Sequence, residues 1–454
     1  MTVDHPPSAS SAETITVPPP QPTRTPVNAW WTLAVLMMFY SLAIIDRQVI
    51  ALLVQDIKHD LMLSDMQISL VLGPAFFLPY VLVGIPIGWL ADRTSRRLIL
   101  FVGVNIWALA ALSGSLASTF VGLLVCRCFI GVGEAALAPS AYSLLAESFP
   151  RHRLGFAVGL YQSSLNMGSA IAFGLGGYLM LVADDNARAV PLFDGLSDWR
   201  LVLLLTSLPG FVLAPLIFTA KEPRVVRRDA APEQASNADL LAFLKANARL
   251  LLLLGLGFAC VTAMSNALTA WTPAYVDRQF GWPAARSGPW LGTLSAVTAI
   301  ALVFKGHVID WLYARGMPDA HVRFYTWLAM GAFPLMASLF WIPDPQIFLI
   351  GYGILQIFTL TFMVFLVPAI QIFTPERLRG RVIALFLFAF ALFGSIGPVA
   401  VSLVTDYVLA DGRKLGVALF LVVGTFGIVC LMLLRLSLPH LRVAMQNAAT
   451  IAGR

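Results

Sequence analysis

Between residues 29 and 437 the chain passes through twelve apolar stretches separated by short polar breaks, and this pattern leaves few folds open. They fall near 29–55, 66–91, 97–117, 120–148, 155–182, 199–219, 247–276, 287–313, 322–343, 346–373, 379–409 and 412–437. Each reaches the roughly 20 residues that an α-helix needs to cross a hydrocarbon layer. No water is available there to bond the peptide groups, so a spanning segment must satisfy them internally. The expected fold is an all-α membrane protein with twelve transmembrane helices. Charge content agrees, since 12% of the 454 residues are Asp, Glu, Lys or Arg, about half the share of a soluble domain.

The polar breaks carry an orientation. Those after even-numbered stretches hold Arg93, Arg96, Arg97, Arg151, Arg153, Lys221, Arg224, Arg315 and Arg377, whereas the others are rich in Asp, as at Asp56, Asp60, Asp65, Asp184 and Asp277. Basic loops stay on the cytoplasmic side, which puts both termini in the cytoplasm. The net charge of +6 therefore sits at span ends, and no nucleic-acid partner is expected. Residues 1–28 are rich in Pro, Ser and Thr, with no basic region leading into an apolar core. They read as a disordered cytoplasmic tail and not as a cleaved signal. Residues 438–454 read as a second cytoplasmic tail. All four cysteines lie in apolar stretches, as buried small side chains.

Residues 220–246 form the longest basic loop, a linker with two prolines followed by a helical pattern (ADLLAFLKANARLL) suited to a membrane surface. It divides the chain into halves, 29–219 and 247–437, of six spans each. The halves are related in sequence. Gly88-x-x-x-Asp92, with Arg97 beyond, recurs as Gly306-x-x-x-Asp310 with Arg315, and PRHRLGFAVGLY from Pro150 recurs as PERLRGRVIALF from Pro375. A repeated six-span unit places a binding site near the midplane between the halves.

Charges inside the spans point to that site. Asp46 and Arg47 stand side by side in the first stretch, and the fourth contains CRCFIGVGEAALAPS, with Arg127 and Glu134 seven residues apart. Seven residues are two helical turns, so Arg127 and Glu134 share a face. A charged residue at the middle of a span costs roughly 2.5–3.5 kcal/mol and normally faces a protein interior or a watery cavity. A structural ion pair between spans one and four is the competing reading. The second half holds no such cluster. Lys305 there reads as a gate or snorkelling residue. Phe358, Phe362 and Phe365, then Phe386, Phe390 and Phe393, form aromatic faces, and Asn166, Asn266 and Thr269 offer neutral hydrogen bonds. A polar half facing an apolar half suits an amphipathic substrate.

The loop sequence GWLADRTSRR (Gly88–Arg97) resembles the signature of the major facilitator superfamily, G-x-L-x-D-R-x-x-R-R. That resemblance implies a cytoplasmic gate built from Gly88, Asp92, Arg93, Arg96 and Arg97, with Glu147 and Arg153 as latch partners and Gly306 and Asp310 as a partial second copy. The Asp-Arg pair in span one, together with G-x-G-E-A in span four, is similar to the spinster family of lysolipid and sphingosine-1-phosphate transporters. By position, the resemblance implies Asp46 and Glu134 as proton-coupling residues, and Arg47 and Arg127 as contacts for an anionic headgroup. It also implies a bacterial homologue in the cell (inner) membrane, monomeric and surrounded by lipid.

The chemistry of the four residues supports the same roles. Burial and a neighbouring guanidinium act on a carboxylate in opposite directions, which can poise it for proton exchange. Protonating a carboxylate would free an arginine to hold a phosphate through two hydrogen bonds. Three other functions compete: a multidrug/proton antiporter, an importer of small organic anions, and a receptor built on the same scaffold. The intramembrane arginines oppose cationic drugs. With no Walker loop, no G-x-S-x-G and no metal-ligand spacing, neither an enzyme nor a cofactor is expected.

Overall fold

The computed structural model describes residues 26–91, 93–186, 196–222, 236–317, 319–359, 362–375 and 377–452. Within helices, the side chains at 151–152, 183–186, 302–303, 306, 310, 314, 363–364 and 447–452 lie outside that description as well. Asp92, the surroundings of Gly306 and Asp310, residues 223–235 of the linker and nearly all of the N-terminal tail are therefore outside it.

Among the described residues every regular element is helical. The first half runs through α1 (Val27–Leu52), α2 (Val54–Asp60), α3 (Asp65–Leu72), α4 (Pro74–Ala91), α5 (Arg96–Ser115), α6 (Phe120–Glu134), α7 (Leu137–Ser148), α8 (Arg151–Asn186) and α9 (Asp198–Leu213), the last continued by a 3-10 segment to Thr219. The short α10 (Asn237–Ala246) then leads into α11 (Ala248–Phe280), α12 (Ala284–Ala314), α13 (Ala320–Leu339), α14 (Pro345–Thr359), α15 (Met363–Phe373), α16 (Arg379–Leu403) and α17 (Leu415–Ala452). Nine helical segments of the described residues are long and apolar enough to cross a membrane. The stretches at 287–313, 322–343 and 346–373 are occupied by α12, α13 and the pair α14–α15.

Local chemistry sets several boundaries. Ser64 and Gln67 form a reciprocal cap that starts α3, and Ser236 does the same for α10 with Asp239. Gly281, at φ 66°, closes α11 in the left-handed region that glycine tolerates. One boundary departs from the sequence reading. Helix α17 continues through residues 438–452, where a tail was expected. Leu441 and Met445 are buried in the second-half core there, and Arg442 Nε donates to Asp319 Oδ2 at 2.7 Å. Packing and an ion pair outweigh the polar composition.

Each half has its own apolar core, and a third core joins the halves at one end of the bundle. We call the end where α1 begins the near end and the opposite one the far end. At the far end the halves close through small residues. A Cβ built on Gly177 of α8 would lie 2.8 Å from Pro289 of α12, and one on Gly292 would lie 2.8 Å from the Ala170 carbonyl. Gly73 meets the Ser395 carbonyl of α16 equally closely, and the Ser69 and Ser402 hydroxyls are hydrogen bonded at 2.8 Å. Small residues allow such backbone approach between helices. Near-end glycines behave differently: a Cβ on Gly84, Gly88, Gly155, Gly159 or Gly380 would meet nothing within 4 Å. The bundle is closed at the far end and parted at the near end.

Candidate functional site

Consecutive residues on an α-helix point about 100° apart, and that angle divides Asp46 from Arg47. Arg47 turns toward the junction of α6 and α7, where its Nη2 pairs with Glu134 Oε2. Its guanidinium also lies 4.2 Å from the centre of the Phe76 ring. Asp46 turns the other way and lines a small cavity with Ala111, Gly114, Cys126, Arg127 and Leu203. Arg127, beside it, donates from Nη1 to the Asp46 backbone carbonyl and from Nε to the Val71 carbonyl, both at 3.4 Å. The four charged residues thus adjoin one another but face two cavities. Arg47 and Glu134 share the second with Tyr40, Tyr80, Tyr142, Tyr161 and Gln162.

Glycines explain how Glu134 comes to be buried at 1% exposure. Gly131 presses against the Phe76 carbonyl of α4, and a Cβ on Gly133 would lie 2.6 Å from both the Gly103 carbonyl oxygen and the Trp107 nitrogen of α5. The two glycines bring α6 against two neighbours at once, and α6 ends at Glu134. The ion pair sits at this break. It is only half used: Glu134 Oε1 and Arg47 Nε are buried with no protein partner, as is Arg127 Nη2.

In the second half, Thr269 accepts from Gln356 Nε2 at 3.3 Å, and Gln356 also donates to the Tyr352 hydroxyl. Asn266 packs on Gly394 of α16, and Asn166 is buried on α8. Phe358 is half-buried and lines a small cavity with Met264 and Tyr325. Phe362 is buried between Phe258 (ring centres 5.7 Å apart) and Phe390 (5.4 Å). Lys305 is neither at the surface nor snorkelling. It is buried, and its ammonium donates to the Ile357 carbonyl in the last turn of α14.

At the near end Arg96 pairs with Glu147 at 2.6 Å, within the first half. Arg97 takes a partner missing from the sequence reading, Glu222, at 3.0 Å. Ser95 Oγ and the Arg96 N–H also donate to Glu222. Partial burial pushes its carboxyl up, but these hydrogen bonds and Arg97 outweigh that and hold it below the usual range. Arg93 stacks on Trp89 at 3.7 Å, and Arg153 lies in the first turn of α8.

A larger polar group, not anticipated from sequence, bridges the halves at the far end. The fully buried Asp65 of α3 receives Arg278 of α11 through two hydrogen bonds of 2.6 and 2.8 Å, and Lys58 at 2.5 Å. Arg278 also reaches Gln55, and the Met66 N–H donates to Asp406 at 2.8 Å. Beside this group opens a cavity of about 760 Å³ lined by Asp56, His59, Asp198 and Asp277. Burial, with Asp277 adding to it, pushes the Asp56 carboxyl up to about 6.

An all-helical bundle with a repeated half, closed at one end around buried intramembrane charges, defines a polytopic membrane transporter. The chain belongs to the Major Facilitator Superfamily, whose family model matches residues 36–398. It is 25% identical over 412 residues to an MFS-type efflux pump of Mycolicibacterium smegmatis, covering 89% of this chain and 91% of that one. It is 27% identical over 252 residues to protein spinster of Drosophila melanogaster, a match that spans 55% of this chain and 39% of that protein. In structure it resembles a bacterial homologue of the human lysosomal transporter spinster in an inward-facing, unoccupied conformation, with a TM-score of 0.75, 22% identity, and 93% and 98% of the two chains covered. The chain is a transporter and not an enzyme.

Proposed function

We propose that this protein is a proton-coupled secondary transporter of an amphipathic anion, a lysophospholipid or sphingolipid-like molecule. It has twelve spans, both termini in the cytoplasm and the bacterial inner membrane as its location, so the parted near end faces the cytoplasm. One observation carries this reading: the Arg47–Glu134 pair at the α6–α7 break, its carboxylate buried, with one donor and one acceptor unfilled. Protonating Glu134 releases Arg47 to take the anionic head, and loss of that proton restores the pair and expels the anion. Asp46 is the second proton carrier. Its protonation state acts on Arg127, which ties α1 to the Val71 carbonyl near the α3–α4 junction.

Alternating access follows from the two ends. The far-end contacts of Asp65 with Arg278 and Lys58 must open as the near-end glycines of α4, α8 and α16 close. The reading is tested in proteoliposomes under an imposed pH gradient with Asp46→Asn and Glu134→Gln. Proton-driven transport of lysolipid should be lost, and undiminished transport in both variants would sink the proposal. A multidrug/proton antiporter is the second reading, favoured by the similarity to an efflux pump. Stabilisation in a thermal-shift assay by cationic drugs, and by no lysolipid, would select it.

A further inference from the structure

The two halves carry the same near-end fastening with its charges inverted. In the first half Glu222, just past the last span, returns to the turn between α4 and α5, where it takes Arg97, the Ser95 hydroxyl and the Arg96 N–H. In the second half Arg442, also past the last apolar stretch, returns to the turn between α12 and α13, where it takes Asp319. Ser95 and Asp319 occupy the same place, the residue before the first turn of α5 and of α13. Glu222 and Arg442 are 220 residues apart, and Ser95 and Asp319 are 224 apart, close to the 218 that separate Gly88 from Gly306. The repeat therefore extends to both tails, where opposite residue types hide it from a comparison of letters.

Asp319 is fully buried, and Arg442 Nε and Arg323 Nη2 both donate to its Oδ2 at 2.7 Å. Arg323 lies four residues along the same helix, so among the described residues Arg442 is the ion-pair partner that ties this carboxylate to another element. A buried carboxylate deprived of a partner is strongly unfavourable. Leu441 and Met445, buried on either side of Arg442, hold its stretch of α17 against the second-half core. The turn fastened in this way ends α12, the helix that closes on α8 at the far end. Alternation between two facing states needs each half to rock as one body. We propose that residues 438–446 of α17 are a strap of the near-end gate. Arg442 acts as a positioning residue that binds the α12–α13 turn to the last helix, so that the second half moves as a unit. This rests on the alternating-access reading and gives the tail a part in it.

The test installs the first-half charges in the second half. The full chain in lipid nanodiscs is followed by amide hydrogen exchange over residues 312–323, and by the distance between spin labels at positions 155 and 308, on α8 and α12. Arg442→Glu sets a carboxylate against Asp319. Exchange in that segment should quicken by about tenfold or more, the worth of a charge-assisted hydrogen bond, and the distance distribution should broaden. Adding Asp319→Ser gives the turn a serine cap, with Arg323 left to meet the acid on the tail, as Arg97 meets Glu222. Both readouts should then return toward those of the unmodified chain. Unchanged exchange in Arg442→Glu would overturn the strap, as would a double variant no better than the single one. Faster exchange with an unchanged distance distribution would also overturn it, because the fastening would then take no part in the gate. Arg278→Gln, which breaks the far-end contact, is the control for movement itself. A distance that changes with Arg278→Gln and not with Arg442→Glu leaves alternating access standing without the strap, and one that changes with neither removes both.

Discussion

Arg47 and Glu134 form the pair on which the proposed coupling depends, and the type of cation there matters as much as its charge. A guanidinium offers several donors in one plane and an ammonium offers a point charge. Arg47→Lys should therefore keep the pair with Glu134 but lose the second donor that receives the anion. Its lysolipid affinity should fall about tenfold, the worth of one charge-assisted hydrogen bond, in a direct titration. Asp56, outside the spans, gives a stability prediction. Its folded value of about 6 lies above the ordinary 3.8, so the folded chain holds more protons between those values. Its buried charge thus costs stability above pH 6, and the cost disappears as the pH falls toward 3.8. Asp56→Asn should raise the melting temperature at about pH 7.5, a gain that shrinks through pH 6 and is absent near pH 4.

Among the elements, α6 is held on two sides at once. Gly131 and Gly133 lie against backbone atoms of α4 and α5, and the helix stops where its carboxylate meets Arg47. Gly133→Ala would insert a methyl 2.6 Å from two backbone atoms, which must move apart. Such overpacking costs about 1–3 kcal/mol, so the variant should melt at a lower temperature than the unmodified chain. Gly155→Ala, facing open space on α8, should leave the melting temperature unchanged in the near-end-open state. The G-x-G-E pattern was legible in the sequence as a span-four motif. Its glycines, however, serve helix contact, and only the arrangement of α4, α5 and α6 shows which neighbour each one meets.

For the whole molecule, the register of α4 against α16 links the two ends. These helices run antiparallel and touch at Gly73 and Ser395. Gly88 and Gly380 each lie fifteen residues from that contact toward the near end, about 22 Å along either axis. Closing the near end should bring Gly88 to Gly380. The buried Asp65–Arg278 contact opposes this, and removing one partner of such a pair costs about 3–5 kcal/mol. Arg278→Gln should therefore shift the population toward the near-end-closed state. Spin labels at positions 88 and 380 should then report a shorter distance than in the unmodified chain, and an unchanged distribution would show that the far-end lock does not hold the state.

The sequence by itself determined the family, the helical character of the chain, its division into repeated halves, and the presence of charges where charges are expensive. Those properties rest on local composition and spacing, which survive whatever the helices later do in space. Tertiary structure alone decided partnership. Asp46 and Arg47 are neighbours in the chain and face different cavities because a helix turns 100° per residue. Tyr40, Tyr80, Tyr142 and Tyr161, far apart in sequence, meet because four helices converge on one break. Asp65 and Arg278 lie 213 residues apart and bond only because the halves close at the far end. Such contacts follow from the packing of helices against one another, which no single stretch of sequence contains.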